Sequence, residues 1–188
     1  MTGSTLRNRH SIRLKGFDYS LEGAYFVTIL TYHRTSLFGN IAKGVMELNP
    51  SGRIAFDQWM QLEKRFLQSD FSFFVIMPNH VHGIIFISNG EDKESKIIHA
   101  QTHSLNTSVN PNIESGTLGS IVRAYKASVA FRINALRGFK YPAIWQRNYF
   151  ERVIRNEKEY ENIRKYIEIN PDRWDEDEYY SSSKDVYD

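Results

Sequence analysis

Short apolar runs rich in β-branched and aromatic residues predict four strands. The first run is YFVTILTY (25–32), and the shorter VMELN (45–49) is interpreted as its hairpin partner. Two further runs, FSFFVIMP (71–78) and HVHGIIFI (80–87), are separated by a Pro-Asn pair. Because this pair favours a turn, the two runs are expected to be consecutive strands or a hairpin turned around it.

Helical periodicity predicts two helices between and after these strands. Ser51 is interpreted as the cap of a helix through RIAFDQWMQLEKRFLQ (53–68). From Thr117, apolar residues recur at helical spacing until Gly138, which predicts a long amphipathic helix. Its apolar stripe is expected to contain Leu118, Ile121, Val122, Tyr125, Val129, Ile133 and Leu136.

A third helix and a short extended segment complete the pattern. AIWQRNYFERVI (143–154) suggests one or two short extended pieces. Asn156 and Glu159 resemble a capping box that opens a helix over 157–170, which Pro171 ends. The order β, β, α, β, β, loop, α, short β, α predicts an α+β fold with an antiparallel sheet and helices packed on one face.

Length and composition indicate a single domain over residues 1–188, with 41% hydrophobic and 14% aromatic residues. Residues 88–116 are polar and aperiodic, and are interpreted as a flexible insertion. Residues from about 175 to 188 are expected to form an acidic tail. The absence of cysteine excludes disulfides, thiolate metal sites and a cysteine nucleophile.

The sequence also constrains location and partners. The N-terminus lacks the apolar core of a signal peptide, and no apolar run is long enough to span a membrane, so a soluble, cytoplasmic protein is expected. Residues 117–170 carry eleven Lys and Arg against five Asp and Glu. This excess is compatible with a nucleic-acid or other polyanionic partner. A solvated helical face beside a disordered acidic tail explains the same charges equally well.

Two histidines stand out within the run MPNHVHGII (77–85). On a strand, His80 and His82 share one face, in a segment that is otherwise apolar on both sides. A buried imidazole needs a partner, which could be a metal ion, a substrate phosphate or a backbone carbonyl. Core histidines satisfied by backbone groups therefore remain an alternative to a functional pair.

The last helix carries a second pair of polar residues. Tyr166 and Asn170 are four residues apart and flank the apolar stripe of Tyr160, Ile163 and Ile167. A boundary tyrosine beside a helix-ending Asn-Pro explains this pair equally simply. Taken with the histidines, however, Asn170 completes a set of two imidazoles and an amide oxygen that could hold Mg²⁺ or Mn²⁺ against a phosphate.

In such a site, Tyr166 could attack the phosphorus and form a phosphotyrosine, which conserves the bond energy for a later rejoining step. Its hydroxyl needs a base, a metal or a cation to ionise, and Arg164 and Lys165 are candidates by proximity alone.

Three segments in order, MPNHVHGII, WQRNYFERVIRNE and YIEINPDRW, resemble the REP-associated tyrosine transposases. These belong to the insertion-sequence-like (IS200-like) branch of the histidine–hydrophobic–histidine (HUH) endonucleases with one catalytic tyrosine, and the resemblance covers roughly residues 9–175. It implies a ferredoxin-like or RRM-like sheet and divalent-metal-dependent cleavage of single-stranded DNA through a 5′-phosphotyrosine. By this resemblance His80 and His82 are metal ligands, Asn170 is the third ligand and Tyr166 is the nucleophile.

Other residues are weaker candidates. Tyr149 is an alternative candidate for the nucleophile, and Tyr125 is expected in the core. His99 and His103 could form a second metal site, but they are interpreted as loop residues. Trp145 or Tyr149 could stack on a base. The candidate phosphate contacts are Arg123, Lys126, Arg132, Arg147, Arg152 and Arg155.

The leading hypothesis is a metal-dependent single-stranded DNA endonuclease and strand transferase acting on hairpin-bearing DNA from a palindromic repeat. The alternative is a domesticated hairpin-binding or single-strand-binding protein of the same fold without strand transfer. The residues leave open the DNA motif, whether the protein mobilises itself, and whether it is a monomer or a homodimer in which Tyr166 serves a partner's histidines.

Overall fold

The computed structural model describes residues 22–88, 116–140 and 142–180. The strands are β1 (Gly23–Leu30), β2 (Gly39–Ala42), β3 (Val45–Leu48), β4 (Ser69–Asp70), β5 (Phe74–Ile76), β6 (His80–Ile87) and β7 (Phe150–Ile154). The α-helices are α1 (Pro50–Met60), α2 (Leu62–Arg65), α3 (Leu118–Arg137) and α4 (Glu157–Ile169), and Tyr32–Arg34 and Pro171–Glu176 are 3-10 turns.

The main sheet is antiparallel, in the order β4-β6-β1-β7, with β5 also paired to β6. Strand β6 is therefore central, and β7 lies at an edge of the sheet. Of the two arrangements predicted around the Pro-Asn pair, the structure shows the hairpin, because β5 and β6 pair directly and the Met77 amide donates to the His80 carbonyl at 2.8 Å. Strands β2 and β3 form a separate two-stranded hairpin.

The two faces of the sheet pack against different helices. Tyr25, Val27, Val81 and Ile85 point into a large core that contains side chains of α1 and α3. On the other face, the apolar side of α4 packs over the sheet in a smaller cluster formed by Ala24, Phe26, Phe73, Val75, Ile84, Phe86, Ile154, Tyr160, Ile163 and Ile167. Because side chains alternate along a strand, His80 and His82 face α4.

A close approach of α1 explains the glycine that follows the histidine pair. A Cβ on Gly83 would collide with the indole ring of Trp59, which is fully buried. The Trp59 indole N–H donates to the Phe71 carbonyl at 3.0 Å, and the Tyr125 hydroxyl donates to the Ala55 carbonyl at 3.1 Å. These bonds satisfy the polar atoms of two large core residues and fix α1 against α3 and the sheet.

Most of the predicted framework is confirmed. The α+β class with an antiparallel sheet is observed, α3 ends at Gly138 in the left-handed conformation (φ 76°), and the Asn156 side chain caps α4 by accepting from the Glu159 amide at 2.9 Å. The prediction that the helices pack on one face holds for α1 and α3 and is wrong for α4, whose apolar side covers the opposite face of the sheet.

Three local predictions are wrong. Asn49, rather than Ser51, caps α1, because its side chain reaches the Gly52 amide at 2.9 Å. Strand β3 pairs with β2 instead of the first strand, so the expected hairpin partner lies outside the main sheet. Leu136 is 55% exposed, so the buried stripe of α3 ends at Ile133.

Several other predictions lie outside the described residues. They concern the insertion, of which 89–115 are not described, His99 and His103 within it, and the end of the acidic tail at 181–188. Within the described part of the chain, no helix combines the length and apolar character needed to cross a membrane.

Candidate metal and tyrosine site

His80 begins β6 and has a defined tautomer. Its Nδ1 lies 2.8 Å from Asn79 Oδ1. The Asn79 amide nitrogen is used elsewhere, donating to the carbonyls of Tyr179 at 2.7 Å and Arg34 at 3.2 Å. Because Asn79 Oδ1 can only accept, His80 Nδ1 must be the donor, and Nε2 carries the free lone pair.

His82 lies on the same face of the strand, with its ring centroid 4.3 Å from that of His80. Thr28, its partner in the β1–β6 register, places Oγ1 2.8 Å from His82 Nδ1. Phe26 stacks against the ring at 5.2 Å. Both Nδ1 atoms are thus held by side chains, which directs the Nε2 edges towards α4 and is the orienting contact usual for metal-binding histidines.

Both imidazoles are neutral at physiological pH. Burial lowers the pKa of His80 to about 3. Burial, and then the neighbouring His80, hold the pKa of His82 well below its usual value, against the opposing charge of Asp177. Neutral imidazole is the form that binds metal ions, so both buried rings are in the protonation state that a nitrogen ligand requires.

Helix α4 brings Tyr166 to this pair. The Tyr166 hydroxyl lies 3.2 Å from His82 Nε2 within the same chain, while its ring meets Phe26 edge-on at 6.1 Å. Burial of Ile167 on the apolar side of α4 fixes the rotation of the helix and so the position of its neighbour Tyr166. Tyr166 is 38% exposed and lines an open cavity through which a large substrate can reach it.

Asn170, at the end of α4, is 2% exposed and points into the same space. Its amide nitrogen donates to Asp177 Oδ2 at 3.1 Å. Its Oδ1 is buried and has no hydrogen-bond partner among the described residues, and the same is true of His80 Nε2. Two buried acceptors without a donor indicate that this space is built for a positively charged ligand.

Asp177 belongs to the site although the sequence suggested only an acidic tail. Its Oδ2 accepts from the Tyr166 hydroxyl at 3.3 Å, and its Oδ1 accepts from the Tyr179 amide at 2.7 Å. Ligand atoms of His80, His82 and Asp177 all lie within 4.8 Å of one another. Buried Trp174 and Tyr179 hold this segment against the protein, and they are two of the three aromatic residues in DRWDEDEYY.

These groups fit a divalent metal ion. Imidazole nitrogens, a carboxylate and an amide oxygen form a mixed set that suits Mn²⁺ and also accommodates Mg²⁺. No other group of three His, Asp or Glu residues with this spacing occurs in the part of the chain that the structure describes. Burial, and then the charge of Asp177, raise the pKa of Tyr166 above its usual value, so its hydroxyl is protonated without a bound cation.

An open cavity of about 560 Å³ lies next to these residues. Its lining includes His82, Tyr166, Phe26 and Phe150, together with four acidic residues and Arg152. Its size suits a nucleotide-sized group, and the aromatic rings offer surfaces on which a base can stack.

No model of a known protein family matches the chain. An uncharacterized protein of Haemophilus influenzae is 39% identical over 175 residues, which cover 93% of this chain and 94% of that protein. The chain belongs to the same family as this Haemophilus influenzae protein. The name of that relative assigns no activity to it.

A REP-associated tyrosine transposase bound to a REP hairpin is similar in structure, with a TM-score of 0.53 and 20% identity. The match covers 86% of this chain and 74% of the transposase. The chain therefore has the fold of a REP-associated tyrosine transposase, and the predicted resemblance to that family is confirmed at the level of the fold.

The remaining sequence candidates divide between the core, the surface and a second groove. Tyr125 is a core residue, as predicted. Trp145 is also buried in the core, and its indole N–H donates to the Lys126 carbonyl at 3.0 Å, so it is not available to stack on a base. Arg164 pairs with Glu168 at 3.0 Å rather than activating Tyr166.

Arg152 forms an ion pair with Glu159, and Arg132 and Arg155 are exposed outside both described cavities. Tyr149 lines a groove beside α3 instead of the cavity beside the histidines, which favours Tyr166 as the nucleophile. Arg123, Lys126 and Arg147 line the same groove as Tyr149.

Proposed function

We propose that this protein is a metal-dependent single-stranded DNA endonuclease and strand transferase, a transposase that acts on hairpin-bearing DNA in the cytoplasm. The observation that carries this proposal is the position of the Tyr166 hydroxyl, 3.2 Å from His82 Nε2 and beside two buried acceptors that lack donors. Such an arrangement places a nucleophile at the edge of a candidate metal site.

The chain's own residues would hold the metal ion. His80 and His82 would bind through Nε2 and Asn170 through Oδ1, and Asp177 would supply a carboxylate. A divalent ion bound there supplies Lewis-acid stabilisation for the negative charge of a phosphate. The nitrogen ligands favour Mn²⁺ over Mg²⁺.

Tyr166 would form the covalent intermediate. A bond forms between its phenolic oxygen and the phosphorus while the bond from phosphorus to the 3′ oxygen breaks. The products are a 5′-phosphotyrosine and a free 3′-hydroxyl, so the proton lost by the tyrosine is balanced by the one gained at the departing oxygen. Because the phosphoester bond is conserved, a 3′-hydroxyl can later attack it and join a strand.

The nature of the DNA rests on structural similarity. The solved REP-associated transposase is bound to a REP hairpin, and it shares its fold with this chain. We extend that substrate class to this protein, so the expected partner is a single strand that folds into a hairpin next to the cleaved position.

The proposal is tested by trapping the covalent intermediate. Labelled hairpin DNA with single-stranded flanks is incubated with protein and Mn²⁺ or Mg²⁺, and denaturing gels are used to detect labelled protein. We expect the wild-type chain to form an adduct. No adduct should form when EDTA is present during the incubation, or with Tyr166→Phe. The control Tyr180→Phe removes the hydroxyl of a tyrosine of similar exposure, 43%, and should retain the adduct.

Two results would contradict the proposal. The first is the absence of any adduct from wild-type protein across varied hairpin sequences, while the DNA is bound; this would identify a hairpin-binding protein without strand transfer. The second is an undiminished adduct in Tyr166→Phe.

A further inference from the structure

A second groove, of about 440 Å³, lies between the first half of α3 and the segment that leads into β7. Arg123 and Lys126 come from α3, and Arg147 and Tyr149 come from the segment before β7. The lining contains no aspartate or glutamate. Three cationic residues and one aromatic ring therefore face the same concave surface, whereas the lining of the cavity beside the histidines contains four acidic residues and one arginine.

Lys126 fixes the shape of this groove. Its ammonium group donates to the carbonyls of Gln146, Arg147 and Asn148, at 2.6, 3.3 and 3.2 Å. The Lys126 carbonyl in turn accepts from the Trp145 indole N–H. Lys126 is thus a positioning residue that ties the 146–148 segment to α3 and holds Arg147 and Tyr149 in place.

The two arginines of the groove differ from three surface arginines that are paired with carboxylates. Arg152, Arg164 and Arg173 each form an ion pair with a glutamate. Arg123 and Arg147 are exposed and make no ion pair among the residues that the structure describes. Cationic side chains that converge without an anionic partner provide a site for an external anion.

The groove lies across the edge strand from the candidate metal site. Tyr149 lines the groove, whereas its neighbour Phe150 lines the cavity beside His82. Tyr149 directly precedes β7 and Phe150 is the first residue of that strand, so the two surfaces meet where β7 begins. Among the described residues, β7 has no strand on its outer side in the main sheet, so this edge offers a path along which one strand of DNA would contact both surfaces.

We propose that this groove binds unpaired nucleotides of the DNA strand whose scissile phosphate lies at the Tyr166 site. Arg123 and Arg147 contact phosphates of the strand, and the Tyr149 ring stacks on a base. A single-stranded ligand is favoured over duplex because a base can reach an aromatic ring only when it is unpaired. The inference rests on the proposed function, since it takes the DNA strand as the ligand.

Binding is measured by fluorescence anisotropy with two labelled DNAs, a hairpin with a single-stranded tail and the same hairpin with a blunt end. The experiment is done in EDTA, so the result does not depend on strand cleavage. For the tailed hairpin, we expect Arg123→Gln/Arg147→Gln to weaken binding at least about tenfold, because two phosphate contacts are lost. The slope of log K against log salt should also become shallower, by about 0.7 for each contact to a single strand.

Matched variants separate this effect from a general loss of charge or fold. Arg65→Gln removes a cation from α2, which lines neither cavity, and should bind the tailed hairpin like wild type. Tyr149→Leu should weaken binding of the tailed hairpin about tenfold, whereas Tyr149→Phe, which keeps the ring, should not. Blunt hairpin binding should be the same in the groove variants as in Arg65→Gln.

An unchanged salt slope in the double variant, or an equal loss of affinity for tailed and blunt hairpins, would overturn the groove proposal. Neither result touches the proposed function, which is tested separately by the Tyr166 adduct. Conversely, if no adduct forms but the tailed hairpin is bound through the groove, the strand-transfer proposal fails, and the groove is a binding site for unpaired nucleotides without cleavage at Tyr166.

Discussion

Neighbouring residues of β6 point to opposite faces of the sheet, one face apolar and the other carrying the two histidines. On one face, Val81, Gly83 and Ile85 contribute only apolar contact, and Gly83 lies directly beneath the Trp59 ring. On the other face, His80 and His82 have their Nδ1 atoms held by side chains, while their Nε2 edges face the candidate metal site. Strand alternation thus lets a rigid apolar core support two imidazoles that would be costly elsewhere.

The apolar face should respond to mutation mainly through stability. We expect Trp59→Ala to lower the free energy of unfolding by about 3–5 kcal/mol, because a large cavity opens against Gly83 and the neighbouring strand. Urea denaturation followed by circular dichroism measures this loss. Phe131→Ala is the control, since that ring is 76% exposed and its removal should change stability by about 0.5 kcal/mol or less. Comparable losses for the two variants would contradict the assignment of Trp59 to the core.

The polar face should respond to pH. Burial lowers the pKa of His80 to about 3 in the folded protein, whereas the unfolded chain has a value of about 6.5. Between these values the unfolded state binds more protons, so stability is fully present above about pH 6.5 and falls as the pH decreases. The loss should reach at most about 1.4 kcal/mol per pH unit for this residue, measured by urea denaturation in EDTA.

Variants test whether the pH effect belongs to His80. His80→Gln should reduce the pH dependence of stability and leave the part that His82 contributes, whereas His33→Gln, which removes an exposed imidazole, should keep the wild-type dependence. If all three proteins lose stability in parallel on acidification, the buried neutral imidazole is not its source.

Asp177 should affect metal binding, with a smaller change in free energy than the stability losses predicted above. Removing a partner of a metal-binding histidine typically lowers metal affinity 10–100-fold, so loss of a direct carboxylate ligand should cost at least about tenfold. We expect this decrease for Mn²⁺ binding to Asp177→Asn, measured by isothermal titration calorimetry. Asp175→Asn makes the same charge change at an exposed position two residues away. Equal affinities for the two variants would remove Asp177 from the ligand set.

The sequence predicted one part of this site well and missed another. His80 and His82 on one strand face, and Tyr166 and Asn170 one helical turn apart, follow from the regular periods of strands and helices. The structure brings all four together, although their roles remain predictions. Asp177 lies in an irregular acidic segment, where no period indicates which carboxylate turns inward.

The DNA contacts show a similar division. Sequence alone could not distinguish Trp145, which is buried, from Tyr149, which lines the basic groove. It also could not show that the Lys126 ammonium group donates hydrogen bonds to three backbone carbonyls. Such assignments depend on tertiary contacts between α3 and a distant segment, which local patterns do not encode.

The central claim is that Tyr166, held beside the two buried histidines, attacks a DNA phosphate. The most direct measurement is mass spectrometry of the proteolysed adduct formed with hairpin DNA and Mn²⁺. The account predicts a nucleotide joined through its 5′ phosphate to the peptide that contains Tyr166. A nucleotide on the peptide containing Tyr149 or Tyr180 instead, with the Tyr166 peptide unmodified, would contradict it.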